Sequence, residues 1–304
     1  MSETFHYHPD VAAALANNGP VVALESTVIT HGLPYPQNVA SALAMETAVR
    51  ESGATPATLA IIQGQVHIGL SADQIEYLGQ RAGQNVRKCS RRDLPLVLAC
   101  REDGATTVAG TMILAHLAGI GLFATGGIGG VHRGHPFDVS ADLIELGRTP
   151  VTVVSSGAKS ILDLPATREV LETNGVAVIG YGTDEMPAFF TPHSGLGVDI
   201  RLDTPQSVAD VIAARHRLGL QNGLLVTVPV PAAAACDPAE IDAAVAQATQ
   251  EADEKGIHGP AATPWLLSRI VALTDGRSLR ANAALLQNNG RIAGQIAVVL
   301  ASQR

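Results

Sequence analysis

Lysine is nearly absent from this chain of 304 residues: of 20 basic residues only Lys88, Lys159 and Lys255 are lysine, and arginine supplies the rest. A guanidinium does not deprotonate in proteins, so a lysine in such a chain marks a place where a neutral amine is of use. Lys255, in the charged run EADEKG, needs no such explanation. Cysteine is scarce too. Cys89, Cys100 and Cys236 are an odd number without CxxC spacing, which argues against a disulfide framework and against a cysteine zinc site. Long apolar runs are missing: the most apolar stretch, Met112–Thr125, is broken by His116 and glycines and falls short of the ~18 residues of a membrane span. The start, MSETFHYHPD, lacks the basic-then-apolar pattern of a secretion signal. These absences predict a cytoplasmic protein with no membrane partner. A net charge of −8 disfavours a nucleic-acid surface, although one basic pocket can still sit in an acidic protein.

What is present reads as a globular α/β chain. Hydrophobic residues make up 46% and charged residues 16%, which excludes disorder, and 30 glycines suit many tight strand-to-helix turns. Short apolar runs at 21–26, 58–63, 121–127, 151–157, 176–182 and 223–230 each end in a glycine, serine or proline turn, and helical patterns follow most of them. This alternation predicts a three-layer α/β/α fold with a largely parallel central sheet, made mixed by a hairpin at QGQVHIGL. The C-terminal third predicts helices over Pro238–Lys255, Pro264–Leu273 and Ser278–Ala301 with no linker before them, so a single domain over 1–304 is expected.

Ligands of open α/β sheets bind beyond the carboxyl ends of the strands, so chemistry is sought there. In ALESTVITHGLPYPQN, Glu25 ends an apolar strand before a loop with His31, Gly32, Pro34 and Pro36. It reads either as a general acid or base or as a cap of the helix beginning near Gln37. In ATGGIGGVHRGHPFDVSADL, glycines 126, 127, 129 and 130 could let backbone amides form an anion-binding nest. The stretch does not match GxGxxG, and no GK[ST] follows, so no organic cofactor is expected. Ser140 reads as the N-cap of a helix at ADLIELG, a role compatible with substrate binding. Asp138, with His132 and His135 nearby, could hold a hard divalent cation through one carboxylate and several waters.

In VTVVSSGAKSILDLPAT, small residues precede Lys159 and leave room for a ligand. A buried lysine loses its proton more readily, and a neutral amine attacks a sugar carbon to form a Schiff base. The alternative is an i,i+4 pair between Lys159 and Asp163. In GQNVRKCSRRDLP, Arg87, Lys88, Arg91 and Arg92 form either a phosphate-recognising cluster or a solvated basic loop.

Taken in order, ALEST, HGLPYPQN, SRRDLP, DGATTVA, FATGGIGGVHRG, FDVSADL and GAKSILD resemble the pseudouridine-5′-phosphate glycosidase family, also called indigoidine synthase A-like, from about Val21 to the C-terminus. The resemblance implies an α/β/α fold, a homotrimer, a Mn2+-type cation, and reversible cleavage of pseudouridine 5′-phosphate to uracil and ribose 5-phosphate. It puts the proton donor on Glu25, the lysine nucleophile on Lys159 and the metal-binding aspartate on Asp138. Substrate contacts fall on Lys88, with Arg87 as the competing choice, and on Val108, Ser140, Ala141, Asp142, His132 and Asn282. Pseudouridine joins C1′ of ribose to a carbon of uracil, so the two-carboxylate route of ordinary glycosidases has no leaving oxygen to protonate. A covalent lysine adduct divides the difficult step. A sugar or nucleoside kinase, or a non-enzymatic sugar-phosphate-binding accessory protein, are the competing readings.

Overall fold

The computed structural model describes residues 5–257, 259 and 262–303. Its strands are β1 (Phe5–Tyr7), β2 (Val21–Leu24), β3 (Thr55–Ile62), β4 (Gln65–Ile68), β5 (Val86–Cys89), β6 (Asp103–Thr106), β7 (Leu122–Ala124), β8 (Val131–His132), β9 (His135–Val139), β10 (Thr152–Ser155), β11 (Leu162–Asp163), β12 (Val178–Tyr181), β13 (Ile200–Leu202) and β14 (Leu224–Thr227). The helices are α1 (Pro9–Ala16), α2 (Gln37–Glu51), α3 (Ala72–Gln80), α4 (Leu94–Ala99), α5 (Val108–Leu117), α6 (Ala141–Leu146), α7 (Leu164–Thr173), α8 (Pro205–Arg217), α9 (Pro238–Glu254), α10 (Ala262–Leu273) and α11 (Arg277–Ser302).

The apolar runs form the middle of the main sheet in the order β3-β2-β7-β10-β14-β12, all parallel. Strands β2, β7, β10 and β14 are buried along their whole length, which is why they read as unbroken apolar runs rather than alternating ones. The expected hairpin is present: β4 returns antiparallel to β3, pairing Leu59 with Ile68 and Ile62 with Gln65. Its two-residue turn puts Gln63 at φ 51° and Gly64 at φ 75°, the geometry that matches strand twist. Strands β6 and β5 extend this corner, β6 antiparallel to β3 and β5 parallel to β6.

Helices flank the sheet as α/β/α layers. Helices α2, α8 and α11 pack together, with α11 running across β2, β7 and β10, while α5 and α6 pack as a pair and α5 covers β2, β3 and β7. A second sheet of three short strands, β11-β8-β9, stands beyond the carboxyl ends of the central strands. It ties the segment after Lys159 to the segment carrying His132, because Leu162 pairs with His132 and Asp163 with Val131.

Gly157 shapes the turn that leads from β10 to Lys159. Its φ is 78°, and a Cβ there would lie 2.2 Å from the Pro187 carbonyl oxygen. Gly195 shares the positive φ, at 75°, but a Cβ there meets nothing within 4 Å. Gly195→Ala is therefore expected to cost only the left-handed strain of about 1–2 kcal/mol. Gly157→Ala adds an overpacking cost for a total of about 2–5 kcal/mol. Urea midpoints of the two variants measure the difference, and equal midpoints would refute the clash.

Candidate active site

Register brings the first two groups together. Ala23 pairs with Phe123 and Leu24 with Ala124, so the next residues, Glu25 and Thr125, stand side by side just past the strand ends. The Thr125 hydroxyl donates to one Glu25 carboxylate oxygen and the Thr27 hydroxyl donates to the other. Glu25 is buried, and this double clamp fixes its carboxylate at the floor of the cleft. It does not cap α2, whose N-cap is Pro36.

Lys159 arrives from β10, one strand further along the sheet. Its backbone N–H donates to the Ile128 carbonyl at 3.1 Å and its carbonyl accepts from Leu162 N–H at 3.0 Å. Among the described residues its amine has neither a hydrogen bond nor an ion pair. The expected alternative, a helical pair with Asp163, is not formed: Asp163 caps α7 by accepting from Ala166 N–H at 2.9 Å.

Adjacent residues of a strand point to opposite faces, and on β5 this separates Arg87 from Lys88. Arg87 turns away from the cleft and makes two bonds to Glu102, at 2.6 and 3.0 Å. Lys88 faces the cleft. Burial, and then the Lys159 ammonium, hold Lys88 below the ordinary lysine range, while Asp142 and Glu25 pull it back up. His132 is likewise lowered by burial; Asp138 opposes that shift, and Lys88, His135 and Lys159 add to it.

These groups line one cleft with two chambers. The outer chamber, about 630 Å3, is bordered by Glu25, Lys88, Val108, His132, Asp138, Ser140, Ala141, Asp142 and Lys159. The inner chamber, about 60 Å3, is lined by Asn282, His31, Phe189, Leu286 and Gly127, and it shares Glu25, Thr27, Lys88 and Lys159 with the outer one. The structure thus brings Glu25, Lys88, Val108, His132, Asp138, Ser140, Ala141, Asp142, Lys159 and Asn282 to one cleft, and leaves Arg87 and His135 outside its lining. One water needs roughly 10–15 Å3 of such space, so the inner chamber suits a single small flat ring.

Several roles differ from expectation. The four glycines of the loop do not form a nest. None has a positive φ, and the amides of Ile128, Gly129 and Val131 are spent on the Gly157 carbonyl, Asp142 and the Thr167 hydroxyl. Packing requires these glycines: a Cβ on Gly129 would lie 2.3 Å from Ser140 Oγ, and one on Gly130 2.3 Å from Thr167 Oγ1. Ser140 caps α6 as predicted, accepting from Asp142 N–H at 3.2 Å. Asp142 borders the cleft, yet both of its oxygens accept backbone N–H groups, from Ala109 at 2.9 Å and from Gly129 at 2.8 Å, so it locks two loops together.

The sequence reading did not single out Thr27, Thr125, Phe189 or Arg148, and it left His31 without a role. Phe189 holds φ 64°, a strained state for a bulky residue, fixed by its N–H donating to the Ser156 carbonyl at 3.1 Å. Arg91 and Arg148 reach the outer chamber because fully buried Glu145 holds both, Arg91 through two bonds at 2.9 and 2.6 Å and Arg148 at 3.3 Å.

Among the described residues no three His, Cys, Asp or Glu side chains gather to enclose a metal ion. A zinc site of protein ligands therefore does not fit. Exposed Asp138, one carboxylate bordering the outer chamber, fits a hard cation that keeps most of its waters.

The sequence profile of the family described as indigoidine synthase A like protein matches residues 10–299. The chain belongs to this family. The indigoidine synthase A-like relatives include proteins named pseudouridine-5′-phosphate glycosidase. One, from Hahella chejuensis, is 54% identical over 98% of both chains, and another, from Herpetosiphon aurantiacus, is 55% identical over 96% of both. Among solved structures, the prealnumycin C-glycosynthase AlnA in complex with ribulose 5-phosphate is similar at TM-score 0.90 and 38% identity, covering 100% of this chain and 99% of that one. An indigoidine synthase A-like protein from Thermotoga maritima is similar at TM-score 0.89 and 35% identity, covering 98% and 96%.

Burial of Glu145 raises its pKa, but bonds from Arg91 and Thr149 and the charges of Arg91 and Arg148 outweigh this and leave it lowered. A carboxylate depressed in the folded state stabilises above its unfolded pKa and loses that contribution as pH falls through the folded value. Stability is therefore expected to decline below about pH 4.5. Glu145→Gln should lose stability at neutral pH and show a flatter acid limb. Parallel acid limbs in melting curves across pH 3–7 would count against this assignment.

Proposed function

We propose that this enzyme reversibly cleaves the carbon–carbon glycosidic bond of pseudouridine 5′-phosphate, giving uracil and ribose 5-phosphate through an imine on Lys159. One observation carries the reading: Glu25 and Lys159 are shared by a large chamber that also holds Arg91, Arg92 and Arg148 and by a small one walled by Val28, Phe189, Leu267 and Leu286. A sugar phosphate suits the first and a flat base the second, so the bond between them meets the amine and the carboxylate. The activity named for the 54–55% identical relatives agrees with this placement.

The chemistry follows from these groups. The Lys159 amine forms a bond to C1′ while the C1′–O4′ electron pair passes to the ring oxygen, which takes up a proton, and the ribose opens. The nitrogen passes a proton to the Glu25 carboxylate, and its lone pair then makes the C1′=N imine as the C1′–C5 pair passes to C5 of uracil, which takes that proton from Glu25. Water hydrolyses the imine and frees the amine. Glu25 is the base for the return reaction, and such assistance typically contributes ~10²–10⁴-fold. Lys88, Ser140 and the first turn of α5 at Val108 orient the sugar phosphate, with Ala141 and Asp142 holding that wall and His132 lining the same chamber. Asn282 faces the base.

Asp138 would hold a Mn2+-type cation in this reading. When bound, such an ion supplies positive charge beside the substrate's phosphate and ordered water. Cytoplasmic location, expected from the sequence, and assembly as a homotrimer, which rests on the family resemblance, complete the proposal. None of the described helices is long and apolar enough to cross a membrane.

Borohydride added to enzyme and ribose 5-phosphate is expected to trap one sugar phosphate on Lys159, read by intact mass and peptide mapping. Lys159→Ala should abolish both the adduct and uracil release. An unmodified mass for the wild type would sink the imine.

Lys88 gives a pH signature. Its ammonium must be charged to hold the phosphate, so ribose 5-phosphate affinity is full at neutral pH and falls as pH rises through a lysine pKa below its ordinary 10.5. Losing one charge-assisted contact costs roughly 1.5–3 kcal/mol, about a 10–100-fold change in Kd. In Lys159→Ala the midpoint should move upward, because one of the two influences that lower it is gone. Titrations with identical midpoints in the two proteins would contradict this coupling.

A further inference from the structure

His31 lies in the inner chamber and takes no part in the steps above. It sits in a tight five-residue turn of π-helical form, Val28–Gly32, directly after the Glu25 segment. The turn is held rigidly. Asn38, fully buried, donates to the Ile29 carbonyl at 2.6 Å and to the Gly79 carbonyl at 3.0 Å, and Gly83 N–H donates to the Thr30 carbonyl at 3.1 Å. The imidazole is fixed as well: its Nδ1 shares a hydrogen bond of 2.5 Å with the Thr30 hydroxyl. The other ring nitrogen, Nε2, has no partner in the protein among the described residues.

We propose that His31 is a specificity-determining residue for the base, reading one edge group of a pyrimidine through Nε2 alongside the Asn282 amide. The inference rests on the assignment of the inner chamber to the base made above. Uracil carries alternating carbonyl and N–H groups around its ring, and a neutral imidazole has one donor and one acceptor nitrogen. With Nδ1 committed to Thr30, Nε2 offers a single directional contact. If the Thr30 hydroxyl donates to Nδ1, Nε2 carries the proton and donates to a base carbonyl. If Nδ1 donates to Thr30, Nε2 accepts from a ring N–H.

The surroundings keep this contact uncharged. Burial, and then the Lys88 ammonium, hold the His31 pKa down at about 4, so the ring is neutral at neutral pH. Val28, Phe189, Leu267 and Leu286 complete an apolar wall, where an unpaired polar edge of the base would be costly. Recognition by a neutral imidazole in such a wall discriminates by hydrogen-bond pattern and does not add to the cation that already selects the phosphate in the outer chamber.

The test runs the reaction in the direction of synthesis, with ribose 5-phosphate and uracil varied in turn, for wild type, His31→Ala, His31→Asn and Thr30→Val. His31→Ala is expected to raise the KM for uracil about tenfold, the loss of one hydrogen bond worth roughly 1.4 kcal/mol. Its KM for ribose 5-phosphate, and borohydride trapping of ribose 5-phosphate on Lys159, should stay at the wild-type level, which also shows that the variant is folded. His31→Asn, which keeps a donor and an acceptor, should recover part of the uracil affinity, and Thr30→Val should weaken it by releasing the ring. An unchanged uracil KM in His31→Ala overturns the assignment, as does a parallel loss of ribose 5-phosphate affinity and trapping. A wild-type protein that neither traps ribose 5-phosphate nor couples it to uracil overturns the reading of the whole cleft, and the role of His31 with it.

Discussion

Three parallel strands ending at one level are the constraint on which the rest of the site depends. Val153 pairs with Phe123 and Phe123 with Ala23, and one residue on, Val154, Ala124 and Leu24 are again in line. The parallel hydrogen-bond ladders and close packing of side chains on both buried faces hold this register. Once it is set, Glu25 and Thr125 must be neighbours, and the chain leaving β10 must cross in front of them. The glycine at 157 then bends that chain tightly enough for Lys159 to return over the same strand ends. The placement of Glu25 beside Lys159 is thus a consequence of sheet register plus one turn.

Two lysines facing one cleft are electrostatically unfavourable, and the fold contains the cost by fixing what surrounds them. Asp142 holds the starts of two loops through backbone amides rather than pairing with either amine. Asn289, fully buried on α11, donates to the Thr125 carbonyl at 2.8 Å and to Ser156 Oγ at 3.1 Å, tying the ends of β7 and β10 to the helix layer. Asn282, two turns earlier on α11, reaches the inner chamber from the same helix. One helix therefore both braces the strand ends and furnishes the chamber behind them. Because these braces are neutral hydrogen bonds, they do not cancel the positive charge that the outer chamber presents to a phosphate.

Much of this was legible in the sequence, and the reasons are specific. The central strands announced themselves because burial on both faces makes them unbroken apolar runs. Glu25 and Lys159 were legible because each interrupts the small or apolar residues at a strand end. Arg87 and Lys88 could not be separated, since only the pairing of β5 with β6 decides which of two neighbours faces inward. The glycine loop misled because glycine serves close packing as readily as amide display, and the difference lies in which side chains, here Ser140 and Thr167, stand opposite. His31 was visible only as one residue of a loop: a five-residue π turn leaves no periodic pattern, and its fixing by Asn38 and Gly83 is tertiary. Phe189 and Asn282 approach from distant segments, so nothing local marks them as neighbours.

The scarcity of lysine acquires its meaning from this geometry. Two of the three lysines stand in the cleft, while the structural cation positions are filled by arginines: Arg91 and Arg148 on Glu145, Arg87 on Glu102, Arg269 on Glu251. Arginine suits those positions because its planar fork pairs with a carboxylate through two bonds and never loses charge. An arginine at 159 could not act as the proposed nucleophile, and one at 88 would set a bulkier, planar group into the space that Lys88 shares with Lys159. The proposed route needs at position 159 a side chain that can lose a proton and attack carbon, which a guanidinium does not do. Lysine at 159 meets that requirement, whereas the arginines on Glu145, Glu102 and Glu251 stand where a permanent cation is what the carboxylate needs.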